Sequence, residues 1–377
     1  MRQRRHGDLR CAARRRTGAL LESLLAGLVA PCRAPLPRAP AVPAPLVAWS
    51  SCGAFRIRTD GRVVRLPRHW LARHSGGTGR RWEAKLDIRR NRPGRYVLVR
   101  EGRVVWRSRG LYPNDGGSIA FGPGRFAFAS YRRGVFMTDL RHGERLVARG
   151  RAIYPVDFMA GGDLVVAAGH DLRLVSRGGR TVRSFRFRHR NSFAFDERTG
   201  TLFFVTPRGR LASVHERRLR LGRSVSRVGG QISTPARGLL VFGGDRSIVV
   251  TRVDGSVVAG TRWRSFRVGS DSGVSVSRDG RLFAFRLTDA RSRRATIYLL
   301  RAGSTHSVPI FRHRLARTGC AVGANLSWRG RFLLYVSTDG RRAIVDTATR
   351  TVTDLTMLTD AFQRASLAWA SDFRRQS

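Results

Sequence analysis

The chain has 377 residues, 42% of them hydrophobic, and carries 72 Lys and Arg against 25 Asp and Glu for a formal net charge of +47. That apolar content is enough for a sizeable core, which excludes both a disordered basic tail and a small disulfide-stapled scaffold. Apart from one stretch near the N-terminus, no apolar run approaches the roughly 18 to 20 residues that span a bilayer, so a multi-pass membrane protein is excluded as well.

In chain order, Met1–Arg16 holds seven arginines and Gly18–Ala30 is mostly apolar, the length of a secretory h-region interrupted by Glu22 and Ser23. Residues 1–30 therefore read as an export signal or N-terminal anchor and place the mature protein in a periplasm, a cell envelope or outside the cell; a mis-assigned start and a cytoplasmic protein is the alternative. Cys32 sits where a lipoprotein would be cleaved, but Pro31 occupies the position that wants a small residue. Residues 31–45 contain six prolines and read as an extended linker. The folded domain is expected over 46–377.

From Leu46 onward, short apolar or alternating runs recur between Gly-rich turns, with almost no helical periodicity, so the chain is all-β. The first apolar residues after successive turns are Leu46, Leu86, Phe126, Leu164, Leu202, Leu239, Leu282 and Phe332, at intervals of 40, 40, 38, 38, 37, 43 and 50. A repeat near forty residues holding about four strands predicts a single β-propeller of four-stranded antiparallel blades. One unit shows the pattern: strand Leu164–Ala168, tip Gly169-His170, strand Asp171–Ser176, turn Arg177-Gly178-Gly179 and outer strand Thr181–Phe187. Glycine supplies the positive φ that tight hairpin turns demand, as do the pairs Asp60-Gly61, Asp254-Gly255, Asp279-Gly280 and Asp339-Gly340.

Ser277-Arg278-Asp279-Gly280-Arg281-Leu282-Phe283-Ala284-Phe285, followed by Ile297-Tyr298-Leu299-Leu300, resembles the repeat of TolB-like and WD-type propellers. Arg278 replaces that family's usual Pro, and no Trp-Asp dipeptide closes a strand, so the resemblance is to the looser TolB-like type. It implies partner binding or scaffolding, although propellers also host enzymes.

Ser366–Asp372 looks like an innermost strand without a blade of its own, while Leu46–Ser51, Ala54–Arg58 and Arg62–Leu66 look like three strands without an inner one. Joining them gives a composite blade that closes the ring. Eight anchors then mean eight blades; seven is the alternative, because the inner strand between His69 and Arg81 is poorly marked.

The ligand face of such a ring is lined by the connections between blades and by the hairpins between second and third strands. The candidates there are Tyr112, Asn114, Asp115, Tyr154, His170, His189, Asn191, Asp271 and Asp289, with the repeated Tyr-Pro segments also readable as packing devices. Arg186, Arg188, Arg190, Arg262, Arg264, Arg312 and Arg314 alternate with apolar residues on outer strands, which puts guanidinium groups on the rim as a protected edge or a polyanion-binding belt. Lys85 is the only lysine, a bias without effect on net charge; the charge comes equally from a shortage of acids. Such a surface attracts nucleic acid, anionic lipid or acidic polymer in a salt-dependent way, unless it is merely solvated.

Nine histidines lack the short spacing of metal ligands, and no nucleophile elbow, metalloprotease helix or phosphate loop is present. No catalytic residue, metal or cofactor is assigned. The leading expectation is an exported, monomeric, non-enzymatic module that binds a protein or envelope component; a polyanion-binding propeller and a hydrolase- or lyase-type enzyme with its site in the axial funnel are the rivals. Cys52 and Cys320, brought to neighbouring blades by ring closure, are the expected disulfide.

Overall fold

A computed structural model describes residues 38–50, 53–67, 70, 74–76, 82–87, 93–100, 103–112, 118–122, 124–130, 132–151, 153–188, 193–225, 231–236, 238–244, 247–263, 274–289, 293–315, 324–337, 339–358 and 366–375. Cys52 and Cys320 lie outside them.

The strands fall in sheets of successive antiparallel neighbours. Blade one holds β1 (Leu46–Ser50), β2 (Gly53–Ile57) and β3 (Val63–Arg65). After β4 (His74–Gly76), blade two holds β5 (Trp82–Asp87), β6 (Arg95–Arg100) and β7 (Arg103–Arg107). Blade three is β8 (Ile119–Gly122), β9 (Arg125–Ser130), β10 (Gly134–Thr138) and β11 (Arg145–Arg149). Blade four is β12 (Ile153–Phe158), β13 (Leu164–Ala168), β14 (Asp171–Val175) and β15 (Thr181–Arg186). Blade five is β16 (Phe193–Asp196), β17 (Thr201–Val205), β18 (Arg210–His215) and β19 (Arg218–Ser224). Blade six is β20 (Gln231–Ala236), β21 (Leu239–Gly244), β22 (Ser247–Arg252) and β23 (Val257–Arg262). Blade seven is β24 (Ser275–Val276), β25 (Leu282–Asp289), β26 (Arg294–Arg301) and β27 (Ser307–Arg314). Blade eight is β28 (Ala324–Arg329), β29 (Phe332–Ser337), β30 (Arg342–Asp346) and β31 (Val352–Asp354), and the chain ends with β32 (Ser366–Trp369) and β33 (Phe373–Arg375).

Eight blades result. Seven sheets have four strands, and blade two shows three among the described residues. Every one of the eight forty-residue anchors falls within a strand of its blade, most often the second, because that strand is buried on both faces and must be apolar; in β13 all five residues are buried.

The ring closes as the composite blade requires. Its order is β3-β2-β1-β32, with Leu46 opposite Trp369 and Trp49 opposite Ser366. A second tie was not visible in the sequence: β33 pairs antiparallel with β4, Phe373 opposite Gly76 and Arg375 opposite His74, so the chain end also reaches the start of blade two. Residues 38–45 are not a bare spacer. Ala39 and Val42 are buried in the closure core, and the Ala39 and Val42 N–H groups donate to the Gly61 and Thr59 carbonyls at 2.9 Å each, so packed structure extends ahead of Leu46.

The core lies between blades. Leu334 and Ile344 of blade eight pack with Leu46, Phe55, Ile57 and Trp369 of blade one. Tyr96, Leu98 and Trp106 of blade two meet Phe126 and Phe128 of blade three. Later junctions repeat the arrangement, as where Leu172 and Leu174 of blade four meet Leu202 and Phe204 of blade five. Outer strands are also braced by the next blade's last hairpin turn: Arg223 N–H donates to the Asp254 carbonyl at 3.2 Å, and Gly303 N–H donates to the Val258 carbonyl at 2.8 Å.

Candidate functional site

In an antiparallel meander the hairpins between second and third strands emerge on the same side as the connections between blades, and the remaining turns emerge on the other side. Of the residues expected on the first side, Asn114, Asp115, His189, Asn191 and Asp271 lie outside the described residues, as do Arg190 and Arg264 of the rim. The others separate by burial.

Tyr112 is 2% exposed and belongs to the core between blades two and three. Its ring stands edge-on to Phe128 at 4.9 Å and to Phe136 at 5.1 Å. The hydroxyl donates to Glu144 Oε1 at 3.0 Å, and the same carboxylate accepts the N–H groups of Arg109 at 2.9 Å and Gly110 at 2.7 Å. Burial and the adjacent carboxylate raise the Tyr112 pKa far above its ordinary value, so it remains a neutral donor. Tyr154 is half-buried on β12 against the cores on both sides of its blade. Both tyrosines therefore sit in packing positions. His170 is exposed at its hairpin tip, 5.9 Å from the Phe187 ring, and Asp289 closes β25 half-buried.

Beneath this face, between blades seven and eight, lies a polar network that the repeat pattern did not reveal. Arg286 occupies the middle of β25, 3% exposed, in a strand whose residues on either side are apolar and buried. Its Nη1 donates to Tyr335 Oη and to Ser337 Oγ, at 3.3 Å each. His313 Nδ1 faces the Arg314 carbonyl at 3.2 Å, and a carbonyl only accepts, so this nitrogen carries the proton. Nε2 is then the acceptor, 2.7 Å from the hydroxyl that Tyr335 donates. Burial holds the His313 imidazole below its ordinary value and pushes the Tyr335 phenol up, so both are neutral around Arg286. A phenol between a neutral imidazole and a guanidinium is competent for proton exchange, but Tyr335 is fully buried and the arrangement as it stands orients the two blades. The sequence did carry a signal: a charge inside the otherwise apolar run Leu282–Leu287.

Arg186 on β15, Arg262 on β23, and Arg312 and Arg314 on β27 are exposed, while their neighbours Phe185, Thr261, Phe311 and His313 are buried. Arg188 is half-buried just past β15, where its N–H donates to the Val205 carbonyl at 2.8 Å. Other outer strands also expose arginines, Arg145 and Arg149 on β11 and Arg218, Arg220 and Arg223 on β19, but without the alternation, since Leu146 on β11 and Leu219 and Leu221 on β19 are exposed as well. Carboxylates are committed mainly to turns: Asp196 accepts Arg198 Nε at 2.9 Å, and Asp346 pairs with Arg331 at 3.0 Å. Among the described residues no group of three or more His, Cys, Asp or Glu could hold a metal, and no helix is long and apolar enough to cross a membrane.

A scan of protein-family models and a search of curated proteins each return no match. Solved structures similar to this chain include BamB from Moraxella catarrhalis, 12% identical with a TM-score of 0.34 over 52% of this chain and 61% of that one. Another is the WD40 domain of SCAP from fission yeast, 8% identical with a TM-score of 0.43 over 77% of this chain and 91% of that domain. Both are β-propellers, and the sheet order found here makes this chain one as well.

Proposed function

We propose that the protein is an exported, non-enzymatic binding or scaffold module of a bacterial cell envelope, and that its partner surface is the arginine rim, which engages an anionic polymer or an acidic protein face. The observation that carries this reading is the exposure of Arg186, Arg262, Arg312 and Arg314 on outer strands directly beside the buried Phe185, Thr261, Phe311 and His313. The sheet itself holds these guanidinium groups facing outward, which lowers the cost of ordering them on a partner. The scarcity of acids leaves the surface charge largely uncompensated, and a cationic rim of this kind raises both encounter rate and affinity for polyanions. The basic and apolar N-terminal run supports export.

The test is retention of the full chain on an immobilised anionic polymer across a salt gradient, compared with a variant in which the four rim arginines are replaced by Gln. Retention should persist above physiological salt, and its log–log salt slope should fall by roughly 0.7 to 0.9 for each phosphate that the variant no longer neutralises. Loss of retention near 0.15 M salt, or an unchanged slope in the variant, overturns the rim reading. Cell fractionation tests export separately.

A further inference from the structure

On the opposite side of the disc from the blade connections, the turns of blades three and four enclose a cleft of about 620 Å³ whose charged and titratable lining is Arg125, Asp139, Arg141, His142, Arg145 and Arg177. Four guanidinium groups thus face one carboxylate. That carboxylate is already occupied: Asp139 Oδ2 lies 2.8 Å from His142 Nδ1, while Oδ1 accepts the N–H groups of His142 at 2.9 Å and Arg141 at 3.1 Å. Held by these bonds, the His142 side chain first among them, Asp139 has a pKa lowered to about 2 and offers the arginines no free oxygen pair.

The Arg125 and Arg177 guanidinium groups flank the same glycine. Arg125 Nη1 donates to the Gly162 carbonyl at 2.9 Å, and a methyl group added at Gly162 would stand 3.9 Å from both Arg125 Nη1 and Arg177 Nε. Arg145 Nη2 donates to the Arg177 carbonyl, and Arg145 Nε passes 3.7 Å from where a Gly179 side chain would begin. Two arms are therefore positioned by backbone carbonyls of the neighbouring blade, while the Arg141 and Arg177 guanidinium groups make no hydrogen bond among the described residues. Guanidinium groups gathered around one cavity repel one another, and an anion between them relieves that repulsion. The volume is that of a small-ligand site.

We infer that this cleft binds a compact multivalent phosphate. Guanidinium forks match phosphate oxygens in pairs, and several forks around one small volume call for more than one negative charge at that spot, which a diphosphate supplies and a single carboxylate does not. The site lies on the turn side, apart from Arg186, Arg262, Arg312 and Arg314, and does not depend on the rim reading.

The experiment is calorimetric titration of the full chain with pyrophosphate at 0.15 M salt, with ADP in a parallel arm and tricarballylate as a non-phosphate trianion. The expected result is saturable one-to-one binding, weakened about tenfold or more by Arg141→Ala with Arg177→Ala, and less than about twofold by Arg278→Ala with Arg281→Ala, which removes the same charge from exposed turn positions in blade seven. Arg177→Lys, which keeps the charge and loses the fork, should fall between, and thermal midpoints confirm that each variant is folded. Binding of pyrophosphate alone assigns the free ion, and equal sensitivity with ADP assigns a phosphate terminus. No saturable heat at 0.15 M salt, equal weakening by both arginine pairs, or tricarballylate binding as tightly as pyrophosphate overturns the proposal.

Discussion

Replacing Trp369 with Ala tests the closure of the ring. Trp369 is fully buried in the cluster that joins blades eight and one, and its Nε1 donates to the Ser327 carbonyl at 3.2 Å. Truncating a buried Trp costs about 3 to 5 kcal/mol, and the stranded Ser327 carbonyl adds about 1 kcal/mol. With an unfolding entropy of ~2.1 cal/mol/K per residue over roughly 330 residues, a loss of ~5 kcal/mol lowers the melting midpoint by ~7 °C for a single cooperative transition. Differential scanning calorimetry reads this shift. Truncation after Met357 is the stronger perturbation: it removes β32 and β33 together, leaves β1 and β4 without those partners and uncovers Leu46, Phe55 and Ile57. That protein should melt far lower or fail to accumulate, since an opened ring presents unpaired edges and apolar faces. A midpoint within about 1 °C of the parent for Trp369→Ala, or an unchanged melt after truncation, would refute closure through these strands.

Three other outcomes follow from the same geometry, and a fourth from the sequence alone. Gly134→Ala should destabilise by more than about 2 kcal/mol in denaturant unfolding, because Gly134 has φ +118° and an added Cβ would collide with the Ala148 carbonyl of the paired outer strand. Tyr335→Phe should cost about 1 to 3 kcal/mol, as it leaves His313 Nε2 and the buried Arg286 guanidinium without their shared hydroxyl. Because burial holds His313 below its ordinary value of 6.5, the native state binds fewer protons than the unfolded chain beneath that pH; stability is full above it and declines as pH falls from it toward the lower folded value, and His313→Gln should flatten that slope in pH-dependent melting. Mass spectrometry of the non-reduced full chain should find Cys52 joined to Cys320, and two alkylatable thiols there would remove the bridge.

The sequence by itself determined the all-β class, the forty-residue period and the composite blade. Each of these rests on local chemistry: glycine at tips that need positive φ, as at Gly280 with φ +71°, and a second strand that must be apolar because both its faces are covered, as in Leu164–Ala168. It also placed Arg186, Arg262, Arg312 and Arg314 on outer strands, since alternation is a property of one strand alone. Tertiary structure decided what depends on which strand lies beside which. The pairing of Phe373–Arg375 with His74–Gly76 spans almost the whole chain, and three-residue strands carry no period to announce it. Tyr112 became a core residue because Phe128, Phe136 and Glu144 of the next blade cover it. Arg286, His313 and Tyr335 come from three strands in two blades, and the arginine cleft draws on turns of two blades whose residues are scattered along the sequence. Periodicity fixes the direction of a side chain within its own strand; only the packing of one blade on the next fixes what that side chain meets.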